Sequence, residues 1–374
     1  MTTSIFARDS TLTRTGEIQD FDQLQMTLRY NDVDRWVLTM NGDSPDAALI
    51  TKTGGIVVVR DGVTLMSGPV TTIRRMQDAQ AGRLEVSGMD DTIWLTRRLG
   101  LPVPSGPPYT AFAYDTITGV CETVIRSLVD RNLGPSAIAA RQLAGLTLAA
   151  DGARGTSVTA LARFGTLLFY LQDLALTGGD LGFRIVQVGT GLQFQVYVPV
   201  DRTATAQFSF ALGNLVSYDY AFTVPAANYI YVAGGGEGTA RIIDEGSSAA
   251  SITTFGRFEM FQDRRDTSDA TVLAQARSEN LTTSAATSSL SMVPIDTAAV
   301  TFGTDYNLGD KVTVLAGGDT IRDVVREVSL TVAPSGVETV MPLVGNANAR
   351  SPVTPDFLEQ AQASADRISK LERR

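Results

Sequence analysis

The chain contains two versions of one strand pattern. Residues 54–91 read GGIVVVRDGVTLMSGPVTTIRRMQDAQAGRLEVSGMDD, and residues 308–345 read LGDKVTVLAGGDTIRDVVREVSLTVAPSGVETVMPLVG. Laid over one another 255 residues apart, Val57 and Val59 meet Val312 and Val314, Gly62 meets Gly317, Val70 meets Val325 and Ile73 meets Val328. One residue of slip then brings Gly82 to Gly336. Each copy runs through a β-branched strand, a glycine turn, a second strand, a polar break with glycine and a third strand. Asp61-Gly62 between two such runs predicts a two-residue hairpin. Gly68-Pro69 interrupts the second strand; proline cannot donate to a ladder, so Pro69 belongs at an edge or a bulge, where a sheet turns a corner. The expected object is a curved sheet or small barrel, present twice.

Around this pair the expectation is an α+β, mostly β chain: two similar small β-barrel domains flanking an α+β middle region, then a C-terminal helix. The boundaries fall at 1–98 for the first barrel, 99–108 for a proline-glycine linker, 109–288 for the middle, 289–346 for the second barrel and 347–374 for a second linker and the helix. The second barrel can also recruit strands from 207–260. Short strands are expected within Ser4–Gly16, and at Gln23–Tyr30 and Trp36–Met40, where apolar residues alternate. Asp90–Arg98 reads as a short helix or a strand end. In the middle, Asp115 can cap a helix carrying Ile117, Val120, Cys121, Val124 and Leu128, and Thr156 or Ser157 a second one running to about Leu176. A hairpin follows at Phe183–Val188 and Leu192–Val198. Strands are expected at Gln207–Phe210, Leu215–Thr223 and Tyr229–Val232, and Asp244–Ser251 reads as a polar loop. Thr267, Ser268 or Asp269 caps a helix with Val272, Leu273, Ala276 and Leu281 inward. At the end, Thr354 caps and Pro355 takes the first helical position. Phe357, Ala361, Ser364, Ile368 and Leu371 then form a two-heptad seam, short for a coiled coil. Phe357, Ala361, Ile368 and Leu371 are therefore the candidate subunit interface.

The residue types exclude much chemistry. The 374 residues include no histidine, which removes Ser-His-Asp and Cys-His catalysis and His-ligated metals. Cys121 is the one cysteine and lies on an apolar stripe, so it reads as a buried small residue. A net charge of −9 argues against general nucleic-acid binding. The N-terminus lacks a secretion signal, and Leu161–Leu176, with Arg163, Gln172 and Asp173, is too short and too charged to span a bilayer, so folding in a reducing cytoplasm is expected. Four local clusters read as structure. Asn31-Asp32-Val33-Asp34 is a turn, since the downstream carboxylates of a calcium loop are missing. Asp90-Asp91 complements a helix start. Gly234–Gly238 lacks the lysine of a phosphate loop. Asp263 and Asp266 pair with neighbouring arginines. No catalytic, cofactor or metal site is expected. The alternative is a carbohydrate-active β-protein using two carboxylates, although no pair among 40 acidic residues stands out and aromatics are sparse at 7%.

Several stretches also carry a resemblance: Tyr30-Asn31, VVVRDGVTLMSGPV, VSGMDD, LTRRLGLP, RFEMFQDRRDTSD (Arg257–Asp269), FGTDYNLGDKVTV and VVREVSL. In these the chain resembles the tail hub family of long-tailed phages, especially siphovirus tail proteins of actinobacterial phages. The resemblance implies a structural, non-enzymatic homotrimer whose six barrels form a pseudo-hexameric ring. Such a ring joins a sixfold tail tube to a threefold tip and lets DNA through without specific binding. The implied partners are further copies of the chain, a distal tail or tail tube protein, a tape measure protein and other tail-tip or fibre proteins. The implied place is the tail tip of the virion, after assembly in the host cytoplasm. The sequence stops soon after the second barrel, so host binding and cell-wall cleavage are expected of other proteins; a receptor-binding role for the middle region is the alternative.

Overall fold

A computed structural model describes residues 2–77, 82–294 and 300–345. These residues divide into one unit, those within 2–217 and 292–343, and another, residues 218–291 with 344 and 345.

The first unit is built on strands β1 (Thr3–Arg8), β2 (Arg14–Ile18), β3 (Gln23–Arg29), β4 (Arg35–Asn41), β5 (Gly55–Arg60), β6 (Val63–Gln77) and β7 (Gly82–Met89). Their order in the sheet is β3-β4-β7-β6-β5-β1-β2. β6 is long because it serves two partners. Its first half pairs with β5 as far as Pro69, opposite Gly55, and its second half pairs with β7 from Val70 onward. The ladder shifts register between Val70 and Thr72, so Pro69 sits beside a bulge at the corner, where its missing donor does no harm.

The second copy repeats this. Lys311–Ala316 pairs with the first half of Asp319–Val332, which neighbours Glu338–Gly345. Both hairpin turns have two residues with positive φ, Asp61 (48°) with Gly62 (82°) and Gly317 (62°) with Gly318 (99°), the form that matches strand twist. The structure corrects the alignment here: Gly62 corresponds to Gly318, 256 residues on. β6 has 15 residues against 14 in its counterpart and carries irregular register on both sides, and this extra residue restores the 255-residue spacing by Ile73 and Val328.

Neither copy closes into a barrel, contrary to expectation. The second half of Asp319–Val332 pairs with β3 (Glu327 opposite Arg29 through Val332 opposite Leu24), so the two copies share one open sheet. A strand already paired on both sides cannot curl back to close its own hairpin.

The first half of the middle region differs from its reading at two places, in the same way. Asp115–Val120 and Ser157–Ala162, expected as the first turns of helices, are strands paired with each other. Helices follow at Cys121–Asn132 and at Leu167–Thr177, the latter capped by Thr166. Asp115–Val120 is rich in β-branched residues, and the hydroxyls of Thr118 and Thr159 meet across the pair at 2.9 Å. The helices bury Cys121, Val124, Leu128, Leu171 and Leu174 in a core shared with the hairpin Gly182–Val188 and Gly191–Tyr197.

In the second unit Tyr229–Ala233 lies between Ile243–Ser247, antiparallel, and Glu259–Asp263, parallel. The helix Ala270–Thr283, capped by Asp269, buries Leu273 and Ala276 with Ile230 and Val232. Part of the expected polar loop is a helix, Ala249–Phe255, capped by Ser248 and ended by Gly256 at φ 83°. Leu215–Thr223 and Thr287–Pro294, neighbours in one sheet, lead the chain into and out of this unit.

Candidate assembly interface

The joint between the two copies is a small interface within one chain. β3 alternates, burying Leu24, Met26 and Leu28, and Asp319–Val332 buries Val328, Leu330 and Val332. At its rim Arg29 Nε donates to Glu327 Oε2 at 3.0 Å. β6 has no such neighbour. Beyond Pro69 its sheet-edge side faces no strand among the described residues. Thr71, Thr72, Arg74 and Arg75 are exposed there, and Ile73 and Met76 are half-buried. Leu215–Thr223 is likewise the end strand of its sheet, with Val216 and Phe222 at least half exposed.

A cleft of about 440 Å³ in the first unit is lined by Asp34, Ser67, Asp90, Arg184 and Tyr197, among others. Its acidic groups are engaged in holding the fold. Asp90 Oδ1 accepts from the Asp34 amide at 3.0 Å, and Asp34 Oδ1 from the Arg29 amide at 2.6 Å. Burial pushes both carboxyls above the usual range. Asp91 does not complement a helix start. It is fully buried and takes a two-pronged contact from Arg8, at 2.8 and 2.6 Å, plus the Ser67 hydroxyl at 2.6 Å. The helix after it, Ile93–Thr96, has only four residues, and nothing local in the sequence signals a partner 83 positions away.

The other clusters are structural. Asn31, at φ 55°, uses its amide to grip Leu181 O and the Phe183 amide. In the Gly234–Gly238 loop the Gly234 and Gly235 amides already donate to Ile242 O and Thr267 O, at 2.8 and 2.7 Å, and are not turned towards a phosphate. Arg265 and Arg264 pair with Asp263 and Asp266 at 3.2 and 3.1 Å. Cys121 donates to Leu174 O, and burial pushes its thiol up to about 11. Among the described residues no group of three or more His, Cys, Asp or Glu side chains could hold a metal, and no helix is long and apolar enough to cross a membrane. Phe357, Ala361, Ile368 and Leu371 lie outside the described residues.

Residues 3–346 match the family model described as Siphovirus ReqiPepy6 Gp37-like protein. The chain belongs to this family. It is a family of siphovirus tail proteins, so the chain is a structural component of the phage tail or baseplate. No curated protein matches the chain. Among solved structures it is similar to the 43 kDa tail protein of prophage MuSo2 from Shewanella oneidensis, with TM-score 0.60 and 12% identity over 94% of this chain and 100% of that one. It is also similar to a tail protein from Neisseria meningitidis MC58, with TM-score 0.57 and 12% identity over 93% and 98%. Prophage tail protein gp18 from Listeria monocytogenes EGD-e gives TM-score 0.51 and 12% identity over 96% and 98%. At such identity these likenesses establish the fold, mostly β with several open sheets.

Proposed function

We propose that this Gp37-like protein is the tail hub: a homotrimeric, pseudo-sixfold ring between the sixfold tail tube and the threefold tip. The observation that carries this reading is the joint just described, two copies of one strand pattern paired edge to edge within a single chain. An adaptor between sixfold and threefold partners needs two similar surfaces per subunit, and a closed ring needs each subunit to join the next the same way. In this reading residues 1–98 and 289–346 are the hub domains and 109–288 faces the tip. A C-terminal helix with its Phe357, Ala361, Ile368 and Leu371 seam contacts a neighbouring subunit or tail protein. The tube protein, the tape measure and the tip or fibre proteins are the partners, and the chain has no enzymatic activity of its own. The lumen passes DNA without gripping it, consistent with a net charge of −9.

Mass measurement by light scattering with negative-stain imaging tests the ring. The expected result is a trimer seen as a threefold ring, and a monomer at micromolar concentration overturns it. Titration of the assembled ring with duplex DNA at low salt tests the conduit: no measurable binding is expected, and micromolar affinity that falls steeply with salt overturns it.

One observation favours a receptor-binding second role. One face of the Tyr229–Ala233 sheet presents half-buried Tyr229 and Tyr231, their ring centroids 5.0 Å apart, with Arg257 stacked 3.6 Å over Tyr229 and Phe261 largely exposed. Aromatic faces beside charged groups suit sugar stacking. Glycan-array binding lost in Tyr231→Ala would support it, and no binding to any glycan would remove it.

A further inference from the structure

We propose that the outer half of β6, Val70–Gln77, is the edge on which a second copy of this chain lays its Leu215–Thr223 strand, antiparallel. This would repeat between copies the joint that Asp319–Val332 makes with β3 within one. The proposal rests on the ring reading above and names the surfaces that make it.

The argument is one of equivalence. The first pattern uses five strands in chain order: β3, β4, β5, β6 and β7. The second uses Leu215–Thr223, Thr287–Pro294, Lys311–Ala316, Asp319–Val332 and Glu338–Gly345. In both, the first strand pairs with the second and the long fourth strand with the third and the fifth. Residues 224–286 are an insertion between the first and second strands of the second pattern, where the first pattern has only a short turn. Within the chain, the fourth strand of the second pattern pairs with the first strand of the first, antiparallel, over Val332–Glu327 and Leu24–Arg29. Two equivalent edges are left over among the described residues: the outer half of β6 and Leu215–Thr223. They stand in the same relation as the two that meet.

The side chains fit. Exposed Arg74 and Arg75 lie on one edge and exposed Asp219 on the other, the same complementarity that Glu327 and Arg29 supply at the internal joint. Ile73 and Met76 on one strand, and Val216 and Phe222 on the other, would gain cover. Long open edges carrying apolar residues invite strand addition, and a head-to-tail contact of this kind closes into a ring when its rotation allows.

Cysteine pairs test it. Position 72, 74 or 76 is combined with position 217, 219, 221 or 223 in the full chain, Cys121 being buried, and oxidised with copper-phenanthroline; Val63→Cys with Asp219→Cys serves as control. Disulfides need Cα atoms about 4.4–6.8 Å apart, so cross-linked multimers should form at one register and not in the control. Because a variant can fail to assemble, hydrogen exchange of the wild-type chain runs beside it. Amides of Thr71–Met76 and Leu215–Thr223 that face the open edges should slow at least about tenfold between dilute and assembled protein. An assembled ring with no cross-link and no protection at these strands overturns the joint and leaves the ring reading standing. A monomer at all concentrations overturns both.

Discussion

Glu327 stands opposite Arg29 at the rim of the joint between the two repeats, their charges 3.0 Å apart. The side chains are 19% and 26% exposed, so solvent screens the pair and it aligns the strands more than it stabilises them. A double-mutant cycle with Arg29→Ala and Glu327→Ala should give a coupling of about 0.2–1 kcal/mol, smaller in 1 M salt. A coupling above about 2 kcal/mol in urea unfolding would mean that the joint is held chiefly by charge.

Arg8 and Asp91 are a different case, at 3% and 0% exposure. Arg8→Ala leaves a carboxylate buried with its partner gone and should cost about 3–5 kcal/mol, whereas Arg8→Met with Asp91→Leu should recover much of that. Equal losses in the single and double variants, read by chemical unfolding, would show that packing and not charge sets the cost.

Gly88 lies beneath the ring of Trp36, and a Cβ there would come within 2.3 Å of it. Gly88→Ala should cost about 1–3 kcal/mol through displaced core packing. Gly119→Ala, whose added Cβ would meet only Val124 at an ordinary 3.5 Å and which needs no positive φ, should change stability by about 0.5 kcal/mol or less. Thermal melts of the two variants that coincide would refute the contrast.

Glu122 is held at about 2, chiefly by the Arg154 guanidinium, with help from the Gly152 and Arg154 amides. A carboxyl depressed below its ordinary 4.5 stabilises the fold fully above pH 4.5 and loses that contribution as pH falls towards 2. Glu122→Gln should therefore destabilise at pH 6 far more than at pH 2. A loss that does not change with pH would assign the effect to packing.

Asp34 and Asp90 work in the opposite sense. Burial raises both, Asp34 to about 7. A raised carboxyl contributes stability below its ordinary 3.8 and loses it as pH climbs towards 7. Asp34→Asn with Asp90→Asn should flatten the decline between pH 4 and 7, seen in the pH dependence of the unfolding midpoint; an unchanged slope would clear the pair of responsibility.

The sequence by itself determined what depends on neighbouring residues and on residue types. Period-two alternation located β3 and β4, the Asp61-Gly62 turn marked the first hairpin and a glycine turn at Gly317 the second, and Pro69 marked the corner of β6, because each is fixed by local backbone geometry. The duplication was legible for the same reason, and the missing histidine removed whole classes of chemistry. What needed the tertiary structure was everything decided by a distant partner. Asp115–Val120 and Ser157–Ala162 read as helix starts because their apolar spacing suits a helix; each is a strand because the other supplies its ladder across some 40 residues. Asp91 read as a charge complementing a helix start, and only the fold brings Arg8 of β1 against it. The barrels expected from each copy are one open sheet because the end of Asp319–Val332 bonds to β3, some 300 residues earlier. That pairing is a competition between edges that carry the same backbone donors and acceptors, and only the folded chain decides which edge wins.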